Sequence, residues 1–367
     1  MADETNILAL RIAGTDYRGW TSVNVTRSIE SAASSFSLSV TDVWPDQDDP
    51  IRIFCGDECE IVIGDDVVLT GYVEAVTSSH SGRDHSITVT GHSRTIDLVQ
   101  CSCISDSGSP LQFKAGKTIL EIARALARPY GFSADDIICT ETNLDTLPRF
   151  VPEVGETVYS AIERLAREQS LLITDDALGR LVLTRLGSGK GVDLIHPGNI
   201  LSAGSTVDTS DRFSEYRVKG QRVADDGSFG KDTTSEATIE DDDDIARTRV
   251  LVLKGEKQMN QDACRKRATW EAVTRAGRSV DVIVTVRGWR DQNGDLYDVN
   301  TNHFVQDGVI GIDGYLLASE VAFAHDGQGG ALTGIRLAPP GAFEPQAPKK
   351  RKTKITKGVR AIIRGEV

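Results

Sequence analysis

Val280-Asp281-Val282-Ile283-Val284-Thr285-Val286-Arg287 places valine at every second position. A period of two marks a strand with one buried face, because successive side chains point to opposite sides. Downstream, Asn293-Gly294 predicts a two-residue primed hairpin, whose central residues must tolerate positive φ. Further strands are expected at 303–306, 315–323 and 331–337, and Pro339, Pro340, Pro345 and Pro348 mark the end of the fold.

The same alternation stands near the other end of the chain. Phe36, Leu38 and Val40 alternate with Ser35, Ser37 and Ser39, and Leu8, Leu10 and Ile12 with Ala9 and Arg11. Gly64-Asp65-Asp66 separates apolar runs at 60–63 and 67–70, a hairpin signal. Strands this short, about ten residues apart, predict a small antiparallel barrel or sandwich. Between the two β regions the period lengthens. Ile119, Leu120, Ile122, Ala123 and Leu126 share one helical face, with Thr118 as cap and Pro129 and Gly131 as stop. A second helix begins near Glu156 and carries Val158, Ala161, Ile162, Leu165 and Ala166. A hairpin at 171–174 and 180–184 follows. A strand at 212–222 then sets Tyr216 and Val218 against Phe213, Glu215, Arg217 and Lys219. An acidic loop is expected at 225–246 and a helix at 260–276. The fold class is mainly β (α+β). The expected domains are 1–104, the α+β insert 105–200, a second β domain 201–345 with an excursion at 225–276, and a basic tail 346–367. No residue-level repeat links the two β regions; any likeness between them is architectural.

Of 367 residues, 39 % are hydrophobic and 26 % charged, as in globular proteins. Apolar runs are short, far below the roughly 20 residues of a membrane helix. The N-terminal Met-Ala-Asp-Glu-Thr-Asn has neither the basic nor the apolar region of a secretory signal, so assembly in a cytoplasm is expected. Cys55, Cys59, Cys101, Cys103, Cys139 and Cys264 lack zinc-site spacing and are expected to be reduced, small apolar residues. The net charge is −13, yet residues 349–367 hold eight Lys or Arg and one acid, leaving −20 on residues 1–348. An acidic body argues against a duplex-DNA binder, whose affinity rests on neutralising phosphates.

Short motifs offer little chemistry. Gly187-Ser188-Gly189-Lys190-Gly191 lacks the first glycine and the Ser or Thr after lysine of a phosphate loop. Gly91-His92-Ser93-Arg94-Thr95 lacks the closing glycine of a nucleophile elbow. In Asp291-Gln292-Asn293-Gly294-Asp295 glycine stands fourth, where a calcium loop needs it sixth. Asp241 to Asp244 read as a solvated loop. No catalytic, cofactor or metal constellation emerges. One stretch, Val151 to Ala166, resembles the start of a LysM-type glycan module, although Glu156 and Thr157 equally suit an ordinary helix N-terminus.

Several strings resemble the Mu-like phage tail protein family: Gly71-Tyr72-Val73-Glu74-Ala75-Val76, then Gly91 to Val99 and Cys101-Ser102, then Asp211-Arg212-Phe213-Ser214-Glu215-Tyr216-Arg217-Val218-Lys219-Gly220-Gln221. Trp270-Glu271-Ala272, Arg275 to Ser279, Gly288-Trp289-Arg290 and Pro340 to Phe343 complete the set. His92 departs from the family's usual arginine. The resemblance runs from about residue 5 to 345 and implies a non-enzymatic baseplate hub in a contractile tail. Such a hub has two tube-like antiparallel β-barrel domains, and three copies form a ring between a hexameric tail tube and a trimeric central spike. Implied partners are a second and third copy, the tube protein, the spike protein and other baseplate proteins, with DNA passing through the lumen unbound. The implied location is the virion tail. Gly71, Gly220 and Gly288 are expected at bulges or close approaches. Tyr72, Arg212, Phe213, Tyr216, Gln221 and Trp289 are expected in packing or at an interface. Lys349, Lys350, Arg351, Lys352 and Lys354 are expected to touch a partner. The rival readings are a glycan-binding or wall-degrading tail protein using residues 151–184, and a type VI secretion spike.

Overall fold

The computed structural model describes residues 7–41, 53–80, 85–105, 111–221, 234–240, 245–258, 261–326 and 330–343. The first β unit contains β1 (Leu8–Ile12), β2 (Thr15–Tyr17), β3 (Ser22–Ser28), β4 (Ser35–Thr41), β5 (Glu58–Ile63), β6 (Asp66–His80) and β7 (His85–Ser93), followed by α1 (Ile96–Gln100). The insert contains β8 (Lys117–Thr118), α2 (Ile119–Ala127), β9 (Ile137–Cys139), β10 (Thr146–Leu147), α3 (Val158–Glu168), β11 (Leu172–Asp175) and β12 (Leu181–Thr184). Then come β13 (Gly189–Lys190), β14 (Leu194–His196), β15 (Ile200–Val207), β16 (Glu215–Gln221), β17 (Thr234–Glu240), β18 (Val250–Gln258) and α4 (Gln261–Arg278). The chain closes with β19 (Val280–Arg287), β20 (Thr301–Asp307), β21 (Ile312–Asp326) and β22 (Gly330–Ala338).

The protein is mainly β, as the alternation predicts, but the two β regions are not separate barrels. Among the described residues they form one 14-stranded sheet with the path β15-β19-β22-β21-β3-β4-β7-β6-β5-β1-β2, which does not close on itself. The joint is the antiparallel ladder of β21 on β3, from Glu320↔Ser28 to His325↔Val23. The physical reason is economy of edges: β3 would otherwise expose a row of unpaired backbone groups. One apolar core serves both units, holding Leu10, Leu38, Ile61 and Leu69 together with Val282, Val284, Ile335 and Leu337.

Within that sheet the architecture repeats. The order β3-β4-β7-β6-β5 is matched by β15-β19-β22-β21-β20, antiparallel throughout. The fourth strand has 15 residues in both units and the third has 9. Both fourth strands carry a bulge, between Val73 and Ala75 and between Ala318 and Glu320. Leu38 faces Val89, which faces Val76; Val284 faces Ile335, which faces Val321. This likeness lies in register rather than in residue identity.

The insert has its own core, in which Ile119, Ile122, Leu126, Val158, Ile162 and Leu183 are buried. Thr118 and Glu121 form a capping box on α2, and Thr157 caps α3. Between β15 and β19 the chain leaves the large sheet to build the sheet β17-β16-β18 under α4. A third core joins Tyr216 and Val218 to Cys264, Ala268 and Ala272, which recur at i, i+4 and i+8 on α4. Two expectations are corrected here. The expected loop at 225–246 contains β17, which pairs with β16. Asn293-Gly294 is not a primed two-residue turn. Only Gly294 of the two has positive φ (90°), and Gly294 N–H donates to Asp291 O at 3.1 Å. The Asp291 carboxylate accepts from the N–H groups of Asn293 and Asp295 and so favours this wider turn.

Candidate assembly surfaces

The residues singled out by sequence fall at three separate places. Gly71 and Tyr72 lie on β6. A Cβ on Gly71 would overlap the His92 carbonyl of β7, so the bulged pair β6–β7 demands glycine there. Tyr72 beside it is half-buried. Arg212, Phe213, Tyr216, Gly220 and Gln221 belong to the β16 module. Arg212 and Tyr216 are fully buried, Phe213 meets Tyr216 edge-on at 5.9 Å, and the Phe213 N–H donates to the Tyr216 hydroxyl at 3.1 Å. The guanidinium groups of Arg249 and Arg275 lie 5.0 and 5.6 Å from the Phe213 ring. Gly220 is buried in β16 and Gln221 ends that strand. Gly288 takes φ +81° where the chain leaves β19. It turns Trp289 inward, where Nε1–H donates to Ala324 O of β21 at 3.0 Å. Trp289 therefore sits behind the strand that carries the joint. Lys349, Lys350, Arg351, Lys352, Lys354 and Asp241 to Asp244 lie outside the described residues.

The joint is held by ionic contacts that local sequence does not announce. Arg27 of β3 is nearly buried and pairs with Asp298 at 2.7 Å. Arg290 donates to Asp66 at 2.6 Å and to Ile63 O at 2.9 Å, tying the loop after β19 to the β5–β6 hairpin. Asp175, at the end of β11, is buried against the first unit and accepts from the Ser34 N–H and hydroxyl, each at 2.9 Å. Burial pushes its carboxyl pKa up, against the lowering pull of those hydrogen bonds and of Arg27. Thr70 donates to Ala177 O at 2.9 Å, so the β11–β12 hairpin leans on β6. The insert is thereby braced on the first unit.

The weak motifs find structural explanations. The glycines of 187–191 let that strand lie against β20. A Cβ on Gly191 would overlap the His303 ring, and β13 pairs with Thr301 and Asn302. Gly191→Ala overpacks this contact and is expected to cost about 1–3 kcal/mol in urea unfolding. His303 itself is buried, with Nδ1 2.7 Å from Val192 O and Nε2 2.9 Å from the Thr301 hydroxyl. Burial holds its pKa below the ordinary 6.5. The folded state thus favours neutral imidazole. Its contribution is present above the unfolded pKa and is lost as pH falls through the folded one. The thermal midpoint of the wild type should drop on acidification below pH 6.5, and His303→Gln should flatten that part of the profile.

Ser93 is buried and its Oγ lies 2.8 Å from the Thr95 hydroxyl, while His92 turns away to Glu74 at 2.7 Å. The elbow-like string thus separates serine from histidine. In the LysM-like stretch the apolar positions Val158, Ala161, Ile162 and Leu165 fill the insert core. Glu156 pairs with Arg164 at 2.9 Å, and that guanidinium lies 4.7 Å from the Phe150 ring. These residues knit a helix entry. Among the described residues, no group of three or more His, Cys, Asp or Glu is placed to hold a metal.

Comparison with known proteins matches three segments of the chain to phage tail families. Residues 7–93 match the N-terminal domain of the Mu phage baseplate assembly protein GpP-like family. Residues 95–185 match the second domain of the baseplate hub protein gp44-like family, and residues 260–346 the fourth domain of the Mu phage baseplate assembly protein GpP. The baseplate hub protein gp44 of Escherichia phage Mu is 31 % identical over 356 residues, covering 95 % of this chain and 92 % of that protein. The crystal structure of the 43 kDa tail protein of prophage MuSo2 from Shewanella oneidensis superposes with a TM-score of 0.79. It is 30 % identical and covers 92 % of this chain and 99 % of that one. A tail protein from Neisseria meningitidis MC58 gives a TM-score of 0.75 at 23 % identity, covering 93 % and 98 %. Fold and matched segments together define a structural protein of the phage tail baseplate, a component of the virion. Within that class the chain belongs to the family of the Mu baseplate hub protein gp44.

Proposed function

We propose that three copies of this hub protein close into a ring that adapts a sixfold tail tube to a threefold central spike in a contractile tail. The observation that carries the reading is the internal repeat: two β units with one strand order, one pair of bulged long strands and one register. Three chains then supply six similar units, and a cyclic arrangement needs only one heterologous interface used three times. The chain acts as a scaffold and not as an enzyme. Its partners are the tube protein, the spike protein and other baseplate proteins. DNA passes the lumen without specific binding, in keeping with −20 on residues 1–348, a charge that repels phosphate. Residues 1–104, 105–200 and 201–345 serve as first β domain, insert and second β domain. Gly71, Gly220 and Gly288 are spacing residues, and half-buried Tyr72 and Phe213 are available to an interface.

The basic tail, with Lys349, Lys350, Arg351, Lys352 and Lys354, contacts an acidic face of the spike or tube. The test is co-elution of the purified chain with the tube and spike proteins of its own particle. Binding of both at a ratio of three hub chains to one spike trimer supports the adaptor role, and failure to bind either contradicts it. Removing residues 346–367 should weaken spike retention most at low salt and less at high salt, where screening already weakens a contact between charges; unchanged retention at low salt removes the tail from the account.

A further inference from the structure

We infer that Pro345-Gln346-Ala347-Pro348 docks into an apolar groove of its own chain, between the insert and α4, and so fixes the point from which the basic tail reaches a partner. The inference needs neither the ring nor the spike. It starts from a groove of about 330 Å³ where three parts of the molecule meet. The insert supplies Tyr159 of α3 and Leu171 just before β11, the first β unit supplies Ile29, and Trp270 of α4 and Phe343 stand beside them. Ile29 and Phe343 pack with the main core, whereas Tyr159 and Leu171 pack with the insert core. The two cores thus end at one groove, with Tyr159, Trp270 and Phe343 only half-buried. Apolar surface of this kind gains by being covered.

The course of the chain says what covers it. Phe343 is the last described residue of the fold and itself lines the groove, and residues 344–367 follow it. Residue 345 therefore lies within about 7 Å of a lining residue, at roughly 3.3–3.6 Å per residue. The segment that begins there has the chemistry such a groove takes. Pro345 and Pro348 are spaced i, i+3. A polyproline II helix has about three residues per turn, which puts both rings on one face. Aromatic-lined grooves accept segments of this type because their backbone is already ordered before it binds. A site of this volume is at the small end for a ligand pocket and suits a piece of chain this short.

Charge runs in the same order along segment and groove. Arg278 donates to Ala342 O at 3.2 Å, so it stands where the chain leaves the fold, two residues before Glu344. The acids of the lining, Glu163 and Glu30, belong to α3 and to the turn after β3. The bases of the segment begin at Lys349, after the second proline. Arg167 lies 3.7 Å from Glu163, which leaves exposed Glu30 as the carboxylate for Lys349 or Lys350. The tether supplies the rest. A short link holds a segment beside its site at a millimolar effective concentration, so a contact too weak to retain a free peptide still closes within the chain. A fixed exit also lowers the ordering cost when Lys349 to Lys354 engage a partner.

The test uses the full-length chain with photoreactive benzoylphenylalanine in place of Ala347, irradiated and mapped by mass spectrometry. The expected result is cross-links within one chain to peptides containing Tyr159, Leu171 or Trp270, in a yield that does not change with protein concentration. Pro345→Gly with Pro348→Gly should abolish them, which separates docking from mere nearness. Glu30→Lys, at an exposed position, should reduce them while leaving the melting temperature unchanged. Hydrogen exchange at 169–173 should be slower in the wild type than in the double glycine variant, with β3, β4 and β7 alike in both. Cross-links found only between chains or only elsewhere on the surface overturn the inference, and so does a double variant that cross-links as the parent does. Each of these results leaves the three-chain ring standing.

Discussion

Trp289→Ala is expected to lower the unfolding free energy by about 3–5 kcal/mol. Trp289 is 2 % exposed and packs in the core shared by both β units. Its removal leaves a large cavity and deprives Ala324 O of its indole donor. Ala324 lies on β21 opposite Asn24, within the joint, so the damage should spread beyond the second unit. Urea unfolding of wild type and variant measures the loss. A single cooperative transition at lower urea is the expected form, because one core spans both units. Trp289→Phe should recover part of the packing but not the hydrogen bond.

Tyr216→Ala should act as strongly but more locally, again by about 3–5 kcal/mol. Its module has a small core of its own, six buried residues on β16, β17 and α4. Tyr216 is the largest of them, and its hydroxyl accepts the Phe213 N–H. With that ring gone, the strands and α4 lose their common support while the large sheet keeps its ladders. Hydrogen exchange should therefore rise in 213–221 and 261–276 and stay near wild type in β3, β4 and β7. Tyr216→Phe, which keeps the ring, should cost only about 1 kcal/mol. Uniform exposure across the whole chain in Tyr216→Ala would contradict a separate module.

Much of the fold was legible because one-sided burial writes its period into the chain. The valines of β19 and the serine–apolar alternation of β4 mark their strands directly, and both helices of the insert follow from their stripes and caps. What failed was connectivity. Whether β21 pairs with β3 depends on partners nearly 300 residues apart, and no local pattern encodes that. The repeat stayed hidden for a related reason. Leu38 and Val284, or Val76 and Val321, share a place in the register, yet neighbouring positions such as Ser78 and Phe323 do not share a residue type. β17 reads as loop in the sequence because its Thr-Ser-Glu-Ala-Thr-Ile-Glu buries only Ala237 fully among its described side chains. Aromatic and glycine motifs at 71, 212–221 and 288–289 are visible as strings; in the structure Gly71 lies against β7, Tyr216 fills a core and Trp289 reaches β21. The contacts that brace the joint, Arg27 with Asp298 and Arg290 with Asp66, and the one that braces the insert, Asp175 with Ser34, leave no trace at sequence level because each pairs ordinary charged or hydroxyl residues far apart in the chain.

Native mass spectrometry of the purified full-length chain over a range of concentrations weighs the whole account most directly. Three-chain particles, growing in proportion as concentration rises and surviving moderate salt, are the predicted result. A chain that remains single throughout, or that settles into closed twofold dimers, would contradict a threefold hub.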